Sequence, residues 1–441
     1  MEEIRNEKET VLLVGLNTGE TKNFDFAMEE LGNLARACDM EPSGMITQNM
    51  EKENKSYLIG EGKLEEIKRY LTTYDIDSVV FNNTLSPAQL SNLQHAIDVP
   101  VYDRTGLILQ IFDRRARSRE ARLQVEIARL QYILPRLSGL RTGLSRQGGA
   151  GGSMSSKGAG ETKLELDRRK LEHRLTMLNR ELKAVSEEKS ERRKKRSISG
   201  IYRVALVGYT NAGKSTILNT MQSLYGVYAS SGAGESKEVL AKDMLFATLD
   251  TTVRRIRKPE TPTFLLADTV GFISELPHHL VKAFRSTLDE ALEADLIIQV
   301  IDISDPDYEL HAEVTNETLK ELNAGDIPRL FVYNKADVFM NDRALPGLEG
   351  NRILMSAKEP KHMEFLHGQI IERMRKSHVE KTYLFPYERS DLAAYLNEVG
   401  ACMHTEYGEE GILVKALVGE ADCGRLKTYE KINSGFTACS H

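Results

Sequence analysis

Cysteine is scarce in these 441 residues: Cys38, Cys402, Cys423 and Cys439 are scattered without metal-ligand spacing. That argues against a cysteine-held metal and for a reduced, cytoplasmic setting. Long apolar runs are missing as well, and no stretch approaches the roughly 18 apolar residues that a membrane span needs. The opening MEEIRNEKET is charged with no apolar run behind it, so no signal peptide is expected. The first 103 residues contain no phosphate loop, metal cluster or nucleophile arrangement. Acid is absent from 138–160, a stretch holding eight glycines and the basic residues Arg141, Arg146 and Lys157.

What is present divides the chain into two to four domains, as this length allows. The net charge of −6 hides an asymmetry: residues 111–197 carry 23 Lys and Arg against 11 Asp and Glu, while the rest carries 36 against 54. So uneven a distribution points to a segment that meets a polyanion; a solvated helical surface is the plainer reading of the same charges.

Over 1–103, the apolar runs 11–16, 43–48, 77–82 and 99–102 alternate with helical spacing at 24–38, 62–74 and 87–97. Such alternation predicts an α/β domain on a mainly parallel sheet. In 104–197, Leu123, Ile127, Leu130, Leu134 and Leu137, then Leu164, Leu171, Leu175, Leu178, Leu182 and Val185, keep a seven-residue rhythm. Two such stripes bury best against each other, which predicts a basic antiparallel helical hairpin about 30 Å long with the Gly-rich loop 138–160 at its tip. Glycine-rich backbone can approach another surface closely, so a tip of this kind suits structured RNA. From 200 to 378 the strand–helix alternation fits a nucleotide-binding α/β domain, and 379–441 reads as a small α+β domain with no visible chemistry.

Four motifs carry the function. Gly208, Tyr209, Thr210, Asn211, Ala212, Gly213, Lys214 and Ser215 form a phosphate-binding loop behind the strand RVALVG. Its N–H groups converge on phosphates at the positive end of the following helix, Lys214 adds a point charge, and the Ser215 hydroxyl ligates Mg²⁺. Asp268, Thr269, Val270 and Gly271 follow, with Asp268 reaching Mg²⁺ through water and the Gly271 N–H facing a γ-phosphate. Asn334, Lys335, Ala336 and Asp337 select guanine, because the Asp337 carboxylate accepts both edge hydrogens of that base and would stay unpaired against adenine. Ser356, Ala357 and Lys358 close the set, the Ala357 N–H facing the exocyclic oxygen. The four in this order, each after a strand, predict a GTPase that binds GTP and GDP. Phe272 stands where many GTPases place a water-orienting glutamine, so hydrolysis by the free protein should be slow. For the threonine of the first switch, the residues leave Thr248, Thr251 and Thr252 open.

The chain resembles the HflX family of ribosome-associated GTPases over nearly its whole length, through DRTGLILQIF, GLSRQGG, GETKLE, GYTNAGKS, LFATLD and DTVGFI. The resemblance implies that Thr248 is the switch threonine and a Mg²⁺ ligand, catalytic together with Lys214 and Gly271. It also implies that Phe246, Ala247, Leu249 and Asp250 line the nucleotide, and that Asn211 can hold K⁺. It further implies a partner, the large ribosomal subunit, with splitting or rescue of ribosomes as the outcome; the basic, glycine-rich tip offers Arg141, Arg146 and Lys157 as the rRNA contacts, and a monomer is expected off the ribosome. Two stretches depart from the family pattern: the glycine loop is longer and lacks its Arg-Gly-Pro, and VYASSGAGESKEVLAKD before the switch is extended. Two other classes of function stay open on the residues: a regulatory G protein whose stalk binds an acidic protein, and an RNA-remodelling NTPase working through the N-terminal domain.

Overall fold

The computed structural model describes residues 8–20, 23–146, 157–197, 201–226, 251–274, 292–339 and 345–431. The chain forms two compact units, one mainly Met1–Ser186 and the other mainly Glu187–Lys242, Thr251–Ile273 and Ser286–His441.

In the first unit β1 (Glu9–Asn17), β2 (Met40–Asn49), β3 (Ser78–Phe81) and β4 (Val101–Asp103) make a parallel sheet in the order β2-β1-β3-β4. The VLLVGL run of β1 is almost wholly buried, as a strand covered by helices on both faces requires. The crossover helices are α1 (Phe24–Ala37), α2 (Glu61–Tyr74) and α3 (Pro87–Ile97), each where apolar spacing predicts one. Local chemistry sets their starts. The Asn23 side chain accepts from the Phe26 N–H, and Ser86 and Gln89 form a reciprocal capping box with Pro87 in the first turn.

Helix α4 (Arg104–Arg115) buries Leu107, Ile108, Ile111 and Phe112 and packs on α1. Residues 104–115, read from sequence with the hairpin segment, form a separate helix that packs on α1 and on the helix that follows it. The hairpin is α5 (Arg119–Arg146) and α6 (Lys157–Ser197). Leu123, Ile127 and Leu130 meet Leu171, Leu175, Leu178, Leu182 and Val185 in one cluster. Arg119 pairs with Glu181 at 2.7 Å and Glu126 with Arg174 at 2.9 Å, so one heptad up α5 meets one heptad down α6, the antiparallel register. Both helices exceed the expected 30 Å: 28 and 41 residues correspond to about 42 and 60 Å at 1.5 Å per residue. They also enter the Gly-rich stretch, α5 running to Arg146 and α6 starting at Lys157, since isolated helix glycines cost only about 1 kcal/mol each.

A buried node ties α5 to the sheet. Asp103, fully buried, accepts from the Gly106 N–H (2.8 Å), the Tyr132 hydroxyl (2.7 Å), the Leu85 N–H (3.1 Å) and Arg136 Nη2 (2.8 Å). The Arg136 guanidinium lies 3.4 Å from the centre of the Tyr132 ring. Burial, then the Asp103 charge, hold the Tyr132 phenol well above its usual range.

The second unit is built on a seven-stranded sheet, order β10-β11-β9-β8-β5-β7-β6, from β5 (Tyr202–Gly208), β6 (Thr252–Ile256), β7 (Phe264–Asp268), β8 (Leu296–Asp302), β9 (Arg329–Asn334), β10 (Gly347–Glu349) and β11 (Arg352–Leu354). Strands β5, β7, β8, β9 and β11 are parallel; β6 and β10 are antiparallel edges. Helices α7 (Lys214–Tyr225), α8 (Tyr308–Glu321) and α9 (Pro360–Ser377) pack on it. A three-stranded antiparallel sheet of β12 (Val379–Phe385), β14 (Gly411–Val418) and β13 (Cys402–Gly408) follows, with α10 (Ser390–Glu398) and α11 (Glu420–Leu426) over Tyr383, Phe385 and Val414. Thr263 and Arg255 bond to the main chain of Gly400 and Glu398 at 2.8 and 2.7 Å, joining this small domain to the sheet before it. Among the described residues no helix is long and apolar enough to cross a membrane.

Candidate nucleotide site

Strand β5 is central, between β7 and β8, and the loop from Gly208 to Ser215 leaves its C-terminal end, where open α/β sheets bind ligands. Two glycines are obligatory there. Gly208 (φ +150°) lies so close to the Val300 carbonyl that a Cβ would strike it, and Gly213 (φ +98°) lies against the Asn334 amide in the same way. Asn211 also takes a left-handed conformation, φ +62°. The chain then enters α7, whose first turn turns its N–H groups to the loop.

Lys214 is buried, its Nζ donating to the carbonyls of Gly208 (3.0 Å) and Tyr209 (2.7 Å). Burial pushes its ammonium down to about 8, with the Asp268 charge offsetting part of the effect. The Ser215 hydroxyl donates to Asp268 Oδ2 at 2.6 Å, so the two groups expected at Mg²⁺ meet at the end of β7. Thr269 turns inward and bonds to the Leu206 carbonyl at 2.7 Å, while Val270 is buried. The main chain after it pairs with the loop: Thr210 N–H donates to the Phe272 carbonyl (2.8 Å) and Phe272 N–H to the Gly208 carbonyl (3.1 Å). The Phe272 side chain is itself buried. Tyr209 is buried too, stacked on His311 of α8 with ring centres 3.9 Å apart.

Asn334, at the end of β9, links the loop to the base-reading segments. Its Nδ2 donates to the Ala212 carbonyl at 2.9 Å and its Oδ1 accepts from the Ala357 N–H at 2.8 Å. The Ala357 N–H assigned from sequence to the guanine oxygen is thus already engaged, and a base would share it with Asn334. Lys335 is left-handed (φ +62°) and its ammonium pairs with Asp302 at 2.6 Å. Ala336 is buried and bonded to the Met355 carbonyl, and Asp337 is exposed beside it. Ser356 is buried and Lys358 exposed.

The structure therefore brings together the residues from Gly208 to Ser215, Asp268 to Gly271, Asn334 to Asp337 and Ser356 to Lys358. Phe246, Ala247, Thr248, Leu249 and Asp250 lie outside the described residues, as do the side chains of Arg141, Arg146 and Lys157. Thr252 is in β6 opposite Asp268. Sequence reasoning missed Asp302, His311, Thr220 and His362, which support the site from β8, α8, α7 and α9. Only Asp302 had a signal, its place at the end of a parallel strand.

A mostly parallel sheet bearing a phosphate loop, a Ser215–Asp268 contact and the Asn334–Asp337 and Ser356–Lys358 segments joined to that loop defines a GTPase, an enzyme that hydrolyses GTP. Family descriptions match in succession along the chain: "GTP-binding GTPase N-terminal" over residues 25–113, "GTP-binding GTPase Middle Region" over 115–196 and "50S ribosome-binding GTPase" over 203–335. The chain is 40% identical to the GTPase HflX of Caldanaerobacter subterraneus, over 95% of its own length and 93% of that protein's. It is likewise 40% identical to the GTPase HflX of Akkermansia muciniphila, over 97% and 99%. The chain belongs to the HflX family of GTPases. A GTP-binding protein from Sulfolobus solfataricus solved in complex with GDP is 23% identical, with 82% of this chain and 98% of that one aligned at a TM-score of 0.42.

Proposed function

We propose that this GTPase is a cytoplasmic switch that binds the large ribosomal subunit and splits or rescues stalled ribosomes. The observation that carries the reading is the basic hairpin, 23 cationic against 11 anionic residues over 111–197, attached to the same chain as the GTPase domain. The description "50S ribosome-binding GTPase" matched by 203–335 supports it. Arg141 and Arg146 fall in the last turns of α5 and Lys157 opens α6, so in the chain all three flank the glycine-rich stretch that would meet rRNA.

In the nucleotide site, the phosphate loop holds the phosphates, Asp337 reads guanine and Ser356–Lys358 meets its oxygen. GTPase domains generally use Mg²⁺. The hydroxyl of Ser215 and the carboxylate of Asp268, hard oxygen donors within 2.6 Å of each other, suit that ion, with Thr248 joining them in the GTP state. Mg²⁺ there would neutralise phosphate charge. Asn211 would hold K⁺ beside the phosphates and supply what Phe272 does not, so exchange of K⁺ for Na⁺ at constant ionic strength should slow hydrolysis.

The test is co-sedimentation of the GTP-analogue-loaded chain with purified subunits across a salt series. Binding to the large subunit should weaken steeply with salt. Replacing Arg141, Arg146 and Lys157 together by alanine should lower the salt slope by about one unit per lost phosphate contact while GDP affinity holds. Equal binding and slope in the triple variant would reduce the tip to a linker.

A further inference from the structure

We infer that His362 is a positioning residue for guanine recognition, its imidazole Nδ1 fixing the turn Ser356–Ala357 against which the base docks. The inference rests on reading Ser356–Lys358 as the guanine loop.

Three of the four main-chain polar groups of that turn are held by side chains from different elements, and the fourth, the Ser356 carbonyl, accepts from the Glu359 N–H at 3.2 Å. The buried Ser356 N–H donates to His362 Nδ1 at 3.1 Å. The next N–H, of Ala357, donates to Asn334 Oδ1 at 2.8 Å, and the Ala357 carbonyl accepts from Thr220 Oγ1 at 3.1 Å. The Thr220 hydroxyl has one proton and also reaches the Thr216 carbonyl at 2.9 Å, so its hold is divided. His362 has no such competitor at Nδ1. It lies in the first turn of α9, where side chains lean toward the helix N-terminus, and so covers the turn that precedes its own helix. A backbone N–H can only donate. The Nδ1 atom must therefore present its lone pair to that N–H.

The geometry explains why the Ala357 N–H can be shared without the turn collapsing. With Asn334 already using it, the direction of that N–H depends on its own peptide, whose Ser356 carbonyl accepts from the Glu359 N–H, and on the peptide before, whose N–H His362 holds. Without the imidazole, a buried N–H is left without its acceptor and the turn relaxes away from the base. Release of GDP should speed up, and KM for GTP should rise by the same factor, while kcat at saturation stays.

The experiment is stopped-flow release of a fluorescent GDP from the full chain with Mg²⁺. His362→Ala should release it about 10-fold faster, the size of one buried hydrogen bond. His362→Asn, whose Oδ1 falls where Nδ1 was, should return release to within about twofold of the parent. Should the alanine variant fail to fold, His362→Gln replaces it, since its acceptor sits one bond further out. Asp337→Asn in the same assay separates the inference from its premise, because it should exchange GDP for xanthosine diphosphate. If it does so while His362→Ala releases GDP at the parent rate, or while His362→Asn restores nothing, His362 has no positioning role. If Asp337→Asn leaves the preference for GDP unchanged, the guanine-loop reading fails and the His362 inference fails with it.

Discussion

Raising the pH from 7 to 9 should weaken nucleotide binding about tenfold through one group, Lys214. Its ammonium is buried in the phosphate loop with two carbonyls as partners, and burial lowers its pKa to about 8 despite the nearby Asp268. At pH 7 it is about nine-tenths charged, at pH 8 half and at pH 9 about one-tenth. A bound β-phosphate is an opposite charge within contact distance and restores the lysine to its ordinary range. Binding therefore takes up a proton above pH 7, and affinity falls as pH rises through 8. Between pH 7 and 9 the loss is about 1.4 kcal/mol. Calorimetric titration of GDP in excess Mg²⁺, run at pH 8 in two buffers of different ionisation enthalpy, should find uptake of about half a proton per nucleotide. Neither the guanine ring N–H nor the terminal phosphate titrates appreciably at pH 8, so the uptake belongs to the lysine. An affinity constant from pH 7 to 9, with no proton taken up at pH 8, would refute the reasoning, because Lys214 would then be fully charged before the phosphate arrives.

Three further outcomes are expected. His367, buried between Tyr225 and Phe264, has its imidazole pushed down by burial to about 4, so the fold favours the neutral ring. The stability this confers is complete above pH 6.5 and lost as pH falls from 6.5 towards 4, about 3 kcal/mol in all; His367→Phe should flatten that part of a urea-unfolding pH profile, and an unchanged slope would count against it. Arg136→Met removes the counter-charge of buried Asp103 and should lower unfolding stability by about 3 kcal/mol, against about 1 for Tyr132→Phe, read from urea midpoints. A Cβ at Gly271 would lie 2.9 Å from the Thr210 Cα and 3.1 Å from Lys214 Nζ, so Gly271→Ala should slow single-turnover GTP hydrolysis about 10-fold or more; hydrolysis at the parent rate would mean that this segment moves clear before the reaction.

Much of the nucleotide site was legible because its chemistry is main-chain chemistry at fixed local spacing. A loop that wraps phosphates needs glycine where Gly208 and Gly213 stand, and the lysine and hydroxyl that finish the job follow within two residues. Strands buried on both faces announce themselves as apolar runs, and the hairpin seam as a heptad. The apolar face of helix α4 is likewise plain in the sequence, but nothing there says that α1 and α5 are the helices that cover it.

Of the supports of the site, only Asp302 left a signal in the sequence. His362 meets Ser356 six residues earlier, Asn334 meets Ala212 and Ala357 across 122 and 23 residues, and Lys335 reaches Asp302 from the next strand. The Asp103 node gathers Leu85, from the loop before α3, with Tyr132 and Arg136, both on α5. Sequence by itself determined which groups can hold a nucleotide, since local spacing and the conformational needs of glycine are written residue by residue. Which side chains fix those groups in place was decided only in the tertiary structure, because contacts between distant segments depend on packing and leave no periodic trace in the chain.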